Sequence, residues 1–283
     1  MPATWLDVYA EVAARLPAVE ARWLVEDVSG VDRSRWTDAA PADAPARLAP
    51  LVARRLAGEP LQYVLGRWSF RGLDLLVDRR VLIPRPETEI VAGAAIAEAR
   101  RRGGPCTVAD LGTGSGAIAL ALAAEVPGAD VWATDASPAA LEVARANLAA
   151  VPAEAASRVR LAEGMWYEAL PARLRGRLRV IVSNPPYVTE AEFAALPPEV
   201  RDHEPAGALV AGPTGRECLE HLVAAGGRWL EPGGALVLEM APGQAAALAG
   251  VAAAAGYEAV AVGADLAGRD RVLVARRPSG AGA

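Results

Sequence analysis

Residues 106–116 read CTVADLGTGSG, a short apolar run that ends in three glycines. The apolar run is typical of a buried strand, and an Ala-rich stretch of helical length follows it at residues 117–125. Gly112, Gly114 and Gly116 allow the backbone to turn sharply and to approach a ligand closely, while the next helix points its first amide groups at that ligand. A strand, a glycine loop and a helix in this order indicate a nucleotide-type cofactor site.

The glycine loop by itself leaves the identity of the cofactor open. G-x-G-x-G is not the dinucleotide fingerprint, but Ala117 satisfies the looser G-x-G-x-x-A form, so S-adenosylmethionine and NAD both fit. A glycine-rich connection without a ligand is the remaining alternative. Asp135 ends the next apolar run, where a carboxylate can accept hydrogen bonds from both hydroxyls of a ribose. Ser137, before Pro138, is the better placed helix cap, which leaves the Asp135 carboxylate free.

Apolar runs alternate with helical segments from residue 106 onward, and this pattern predicts a parallel sheet covered by helices on both faces. Only residues 263–269 separate the last two runs, too few for a crossover helix, so the final strand is expected to run antiparallel. The apolar runs lie in the segments CTVADLG, ADVWATD, VRLAEG, LRVIVSNPPY, GALVLEM, YEAVAV and DRVLVAR.

The chain before the glycine loop is organised differently. Its first sixty or so residues show helical spacing without a chemical motif, which predicts a small helical bundle for packing or for recognising a partner. Two β-like runs follow, YVLGRWSF and LDLLV, and Arg71 and Gly72 between them predict a hairpin. We therefore expect a helical domain over 1–62, a hairpin and linker over 63–84, an α/β domain over 85–277 and a disordered tail over 278–283.

A second motif, Asn184-Pro185-Pro186-Tyr187, comes directly after the apolar run LRVIVS. At the carboxyl end of a parallel strand beside the glycine loop, it would occupy the crevice where α/β proteins bind ligands. The Asn184 side-chain oxygen and the Pro185 carbonyl could accept the hydrogens of an amide or an exocyclic amine, and the prolines would hold the turn rigid. Tyr187 offers a face to a planar group. A purely structural proline turn would not explain the residues at its two ends.

Composition excludes several classes of function. The 29 basic and 34 acidic residues give a net charge of -5, which argues against gripping duplex nucleic acid through its phosphates. Cys106 and Cys218 share no short spacing with the two histidines, so neither a disulfide framework nor a zinc site is expected. We expect a cytoplasmic protein without a membrane span, because the chain shows neither a signal-peptide pattern nor a run of about 18 uncharged apolar residues.

The combination of DLGTGSG and NPPY resembles the S-adenosylmethionine-dependent amino methyltransferases, which act on exocyclic amines of bases or on glutamine side-chain amides. GEPLQYVLG at 58–66 and IPRPETE at 83–89 resemble the peptide chain release factor N5-glutamine methyltransferases, as do VRDHEPAGALVAG at 200–212 and DLAGRDRVLVAR at 265–276. The resemblance covers essentially the whole chain. It implies a Rossmann-like class I methyltransferase domain with a seven-stranded, mostly parallel sheet.

The resemblance also implies the substrate and the site. The methyl acceptor would be the glutamine of the Gly-Gly-Gln motif in release factors, and the cofactor S-adenosylmethionine, which leaves as S-adenosylhomocysteine; no metal is implied. Catalysis would rest on Asn184, Pro185 and Tyr187, and the glutamine pocket on these three with Pro186. The cofactor-binding residues would be Gly112, Thr113, Gly114, Ser115, Gly116, Asp135, Trp166 and Asn184.

The adenine contact is the point where this chain departs from the family pattern. Met165-Trp166-Tyr167 after the third strand could form an apolar wall for an adenine ring, although a Trp at a strand end can equally belong to the core. The family usually has an acidic residue before this aromatic, suited to the adenine amino group, and here Met165 stands there. Either Glu163 or a backbone carbonyl would then have to make that contact.

Three alternative functions stay open at this stage. A sister group methylates a ribosomal-protein glutamine and shares NPPY, although PRPETE after Ile83 looks more like the release-factor type. DNA adenine methylation would need base flipping and a basic surface, which a net charge of -5 does not favour. A silent module that only docks on a release factor would need neither motif intact. We expect a monomer that acts on a release factor, and not on DNA or a membrane.

Overall fold

The computed structural model describes residues 3–280. Residues 281–283, part of the expected tail, lie outside the described residues. The chain divides into two compact units, one up to Arg67 with Pro197–His203, and the other formed by Trp68–Leu196 and the chain from Glu204. Within residues 3–280, no helix is long and apolar enough to cross a membrane, and no group of acidic, His or Cys side chains is arranged to hold a metal ion.

The first unit is helical, as its periodicity predicts. Thr4 accepts a hydrogen bond from the Asp7 backbone and Asp7 accepts one from that of Thr4, a capping box that starts the first helix. Gly30, in the left-handed conformation at φ +67°, ends the second. Buried tryptophan, leucine and valine side chains pack between the helices. These helices are α1 (Trp5–Ala13), α2 (Ala18–Ser29), α3 (Ala44–Leu56) and α4 (Leu61–Leu65).

Along the chain, a hairpin with strands β1 (Arg67–Phe70) and β2 (Leu73–Leu76) follows α4. Its turn is formed by Arg71 and Gly72, both at positive φ, as a type I′ turn requires. The prediction that the first strand starts at Tyr63 is wrong. That residue belongs to α4, which Gly66 ends at φ +72°, so the strand begins only after this cap.

The central sheet has seven strands in the order β10-β11-β9-β6-β3-β4-β5. Its strands pair in parallel except β11, which runs antiparallel to both β9 and β10, so the predicted sheet and its reversed last strand are confirmed. The strands are β3 (Cys106–Leu111), β4 (Ala129–Asp135), β5 (Val159–Glu163), β6 (Leu178–Ser183), β9 (Leu230–Glu239), β10 (Glu258–Ala264) and β11 (Asp270–Arg276).

Helices cover both faces of the sheet because alternate side chains of its inner strands are apolar in both directions. Val108 and Val180 pack toward α5 and α6, while Ala109 and Ile181 pack toward α11 and α12. The α-helices of this part of the chain are α5 (Pro86–Arg100), α6 (Ala117–Glu125), α7 (Pro138–Asn147), α8 (Ala153–Ala156), α9 (Glu190–Ala194), α10 (Pro198–Arg201, in the first unit), α11 (Glu217–Gly226) and α12 (Ala245–Ala254).

Two strands were not predicted, β7 (Val188–Thr189) and β8 (Val210–Gly212), which pair as a separate small sheet. They are too short to show a periodic pattern. In the central sheet, β3 lies between β4 and β6, because the chain runs outward from β3 through β4 to β5 and then returns to the other side of β3 as β6. This switch point opens a crevice at the carboxyl ends of the strands.

Candidate active site

A cavity of about 580 Å³ lies at this carboxyl edge. It is lined by residues that follow four neighbouring strands, namely 112–115 after β3, 135–137 after β4, 164–166 after β5, and Asn184 with Pro186 after β6. Its size is within the range of ligand pockets, about 300–1,000 Å³. The strand order therefore gathers the two sequence motifs in one place.

The glycine loop takes the conformation that only glycine adopts readily. Gly112, Gly114 and Gly116 have φ of +73°, +55° and +85°, and Gly116 caps the start of α6 without lining the cavity.

The buried Asp110 carboxyl is hydrogen-bonded to the glycine loop and to α6. It accepts hydrogen bonds from Thr113 Oγ1 at 2.6 Å and from the Ala119 backbone at 3.1 Å. Burial raises the pKa of Asp110 to about 7, and its Oδ1 has no hydrogen-bond partner.

Asp135 is held by the backbone, which corrects the expectation of a free carboxylate. It accepts hydrogen bonds from the Gly114 and Ser137 amides, both at 2.9 Å. Ser137 is the helix cap, as predicted, because its hydroxyl accepts from the Ala140 amide. Each Asp135 oxygen still has a lone pair that these bonds leave unused, so it can accept from a ligand hydroxyl. Burial raises the pKa of Asp135 above its ordinary value.

Trp166 forms one wall of the cavity together with Met165. Its backbone is in the left-handed region at φ +49°, which is unusual for an aromatic residue and marks local strain. A Cβ placed on Gly112 would lie 3.2 Å from Trp166 Cζ3, so the ring approaches the glycine loop closely. Glu163 does not line the cavity, whereas Gly164 and Met165 do.

Asn184 lines the cavity with Pro186, but Pro185 and Tyr187 do not. The Asn184 side chain donates from Nδ2 to Thr88 Oγ1 at 3.1 Å, and Thr88 lines the same cavity. Thr88 in turn donates to the buried carboxylate of Glu239. Sequence reasoning missed both partners. A lone acid at the end of the apolar run GALVLEM, and the Thr of IPRPETE, were the available signals.

The segment after His203 closes another side of the cavity. Pro205, Ala208 and Val210 line it, and the preceding Glu204 side chain is 1% exposed. Glu204 accepts hydrogen bonds from the Arg85 guanidinium and from the Ile83 backbone. This ion pair ties IPRPETE to the later motif VRDHEPAGALVAG, so two segments that carry the family resemblance meet at the cavity.

Comparisons with known proteins show which family this chain belongs to. Residues 97–196 match the model of the methyltransferase small domain, and residues 10–66 match that of the PrmC N-terminal domain. A release factor glutamine methyltransferase of Deinococcus radiodurans is 42% identical over 97% of this chain and 99% of its own. The chain belongs to the release factor glutamine methyltransferase family.

Further relatives support the assignment to this family. The Gloeobacter violaceus release factor glutamine methyltransferase is 42% identical over 92% of this chain and 90% of its own. A solved methyltransferase from Pyrococcus furiosus is 20% identical, covers 80% of this chain and 97% of its own, and has a TM-score of 0.52, which shows the fold alone. The family and the fold class predicted from the sequence are confirmed.

Proposed function

We propose that this chain transfers a methyl group from S-adenosylmethionine to the side-chain amide nitrogen (N5) of the glutamine in the Gly-Gly-Gln motif of peptide chain release factors. Membership of the family supports the reaction and the class of substrate. The decisive observation is that Asn184 lines the same cavity as the glycine loop and Asp135. An amide held at Asn184 therefore lies beside a cofactor held by the loop.

The cavity residues fit S-adenosylmethionine. Asp135 has unused lone pairs for two ribose hydroxyls, and the Trp166 ring provides a flat apolar wall for adenine. The glycines of residues 112–116 let the backbone approach the ligand. When bound, the cofactor supplies an electrophilic methyl group on a sulfonium. The adenine amino group is left to a backbone carbonyl, since Glu163 does not line the cavity.

The residues that hold the substrate must increase the reactivity of its side-chain amide nitrogen. Such a nitrogen is a poor nucleophile because its lone pair is delocalised, and acceptors aimed at its two hydrogens localise that pair. We assign this role to Asn184 Oδ1, because Asn184 lines the cavity, whereas Pro185, whose carbonyl is the second acceptor expected from the sequence, does not. Pro186 lines the wall, whereas Tyr187 does not line the cavity and its hydroxyl donates to Glu239. Catalysis then comes from positioning in advance of the reaction.

The proposed substrate also predicts the compartment in which the protein acts. Release factors act on the ribosome, so we propose that the chain works in the cytoplasm. A net charge of -5 favours a protein glutamine over a DNA base as its substrate. We further propose that it acts as a monomer, because one chain provides both the cofactor residues and NPPY at a single cavity.

The test is incubation with a purified release factor and methyl-labelled S-adenosylmethionine, followed by mass spectrometry of the peptides. The expected product carries one methyl group on the Gly-Gly-Gln glutamine. A purified ribosomal protein mixture and an adenine-containing DNA duplex serve as competing substrates. Methylation of either instead of the release factor, or of another residue in it, overturns the proposal.

Asn184→Ala separates the acceptor role from cofactor binding. We expect methyl transfer to fall by about two to three orders of magnitude, because one hydrogen-bonding group to the reacting centre is removed. Calorimetry should find the affinity for S-adenosylmethionine largely retained, since the glycine loop and Asp135 are unchanged. Unaltered transfer in this variant would refute the assignment of Asn184.

A further inference from the structure

A buried acid next to NPPY has no role in the function proposed above. Glu239 ends β9, and the register of β6 and β9 pairs Ser183 with Leu238, which brings Glu239 beside Asn184. Only 1% of Glu239 is exposed. A carboxylate is unfavourable away from water unless hydrogen bonds replace its hydration. The hydrogen-bond partners of the Glu239 carboxylate are therefore the evidence for its role.

Both oxygens of the Glu239 carboxylate accept hydrogen bonds from hydroxyl groups. Thr88 Oγ1 donates to Oε2 at 2.7 Å, and the Tyr187 hydroxyl donates to Oε1 at 3.1 Å. Burial raises the pKa of Glu239, whereas the two hydroxyls and the nearby Arg271 favour its ionised form. In both hydrogen bonds the hydroxyl is the donor, so Thr88 and Tyr187 each point their hydrogen at the carboxylate.

The direction of the hydrogen bond from Thr88 to Glu239 determines which end of the Asn184 side-chain amide, Nδ2 or Oδ1, faces Thr88. Thr88 has a single hydroxyl hydrogen, which Glu239 takes, so Thr88 Oγ1 can only accept from Asn184. Asn184 therefore donates from Nδ2 to Thr88 Oγ1, at 3.1 Å. This hydrogen bond does not use Asn184 Oδ1, which stays available as an acceptor. The two orientations of an amide have nearly the same shape, and the hydrogen-bond network chooses between them.

We propose that Glu239 is a positioning residue for methyl transfer, which acts through Thr88 to keep Asn184 Oδ1 available as the acceptor for the substrate amide. This inference rests on the proposed function. With the Asn184 amide reversed, an NH₂ group would face the NH₂ group of the substrate, and the acceptor would be lost. Glu239 does not line the cavity and both its oxygens are engaged, so it is not a base for the substrate.

The first test compares four variants with the wild type in single-turnover methylation of a release factor. Glu239→Gln keeps the size of the side chain but can donate to Thr88, so it no longer dictates the direction of the hydroxyl. Thr88→Val removes the hydroxyl at equal size, and Thr88→Ser retains it as the matched control. The fourth variant combines Thr88→Val with Glu239→Gln. Calorimetry with S-adenosylmethionine and thermal melting are measured for each.

We expect Glu239→Gln and Thr88→Val each to slow transfer by about 100-fold, the scale for a misplaced hydrogen-bonding group, with cofactor affinity changed less than about threefold. Thr88→Ser should stay within about threefold of the wild type. The double variant should be no slower than the slower single one, because both changes break one unit. Transfer near the wild-type rate in Glu239→Gln, or equal losses in Thr88→Ser and Thr88→Val, would overturn the inference.

A second measurement needs no methyl transfer. In ¹⁵N-labelled protein, the Asn184 side-chain NH₂ group should exchange its hydrogens more slowly in the wild type than in Thr88→Val or Glu239→Gln, with Asn184→Asp identifying the signal. If the exchange shows this order and the wild type does not methylate a release factor, the proposed function fails and the network stands. If the wild type methylates the release factor and the exchange is the same in all three proteins, the inference about Glu239 fails alone.

Discussion

Two residues of the glycine loop allow backbone strain to be separated from contact with the cavity wall. Gly112 and Gly114 are both in the left-handed region, at φ +73° and +55°. A methyl group added to Gly114 meets no protein atom within 4 Å, whereas one added to Gly112 lies 3.2 Å from Trp166 Cζ3. Gly114→Ala is therefore the matched control for Gly112→Ala.

The expected losses of stability follow from these contacts. The left-handed conformation costs a non-glycine residue about 1–2 kcal/mol, and replacing glycine recovers about 0.4–1 kcal/mol through the less flexible unfolded chain. Gly114→Ala should thus lower the free energy of unfolding by about 1 kcal/mol. Gly112→Ala has the same strain and must also displace the Trp166 ring, and overpacking of this kind costs about 1–3 kcal/mol more.

The assay is urea unfolding without cofactor, for the two alanine variants, Trp166→Ala and the double variant Gly112→Ala with Trp166→Ala. Removing the ring makes room for the new methyl group, so the excess loss of Gly112→Ala should disappear in the double variant. The coupling energy expected from this cycle is about 1–3 kcal/mol. Equal stability of Gly112→Ala and Gly114→Ala, or an undiminished excess in the double variant, would refute the packing of Trp166 on the loop.

Two carboxyl groups give the remaining predictions. Asp135→Asn should weaken S-adenosylmethionine binding about 10- to 100-fold in calorimetry, because a hydrogen bond to a charged group contributes about 1.5–3 kcal/mol; unchanged affinity would remove Asp135 from the site. The pKa of Asp110 is raised by burial to about 7 from 3.8, so its contribution to stability is complete below pH 3.8 and is lost as the pH rises toward 7. Asp110→Asn does not titrate, so its free energy of unfolding relative to the wild type should increase between pH 4 and pH 8 by up to about 4 kcal/mol, and a constant difference in denaturant titrations would contradict this.

Local features of the fold were predictable because the interactions behind them are local. The capping box of Thr4 and Asp7 and the helix-ending Gly30 need only neighbouring residues. The start of the hairpin was not predictable in the same way. Apolar residues of a single helical turn, as in α4, resemble the beginning of a strand, and periodicity cannot distinguish the two over so few residues.

The candidate site likewise has some features that the sequence predicted and others that it did not. The glycine loop and NPPY were visible in the sequence, and the alternation of strands and helices placed both at the carboxyl edge of a sheet. The sequence did not indicate that Asp135 is tied to the loop, nor that Pro185 and Tyr187 do not line the cavity. Such details depend on how a turn is oriented after its strand ends, and residue type does not specify that orientation.

By itself, the sequence determined the family, the layered α/β fold and the residue types that we propose to bind the cofactor and the substrate. Only the tertiary structure decided which groups support them, and the chain of Asn184, Thr88 and Glu239 is the clearest case. Asn184 follows β6, Thr88 lies in α5 and Glu239 ends β9, and the sheet brings Asn184 and Glu239 together because it places β9 next to β6. A hydrogen bond between residues far apart in the chain leaves no periodic pattern, so its direction, and with it the face that Asn184 shows to a substrate, is readable only from the folded molecule.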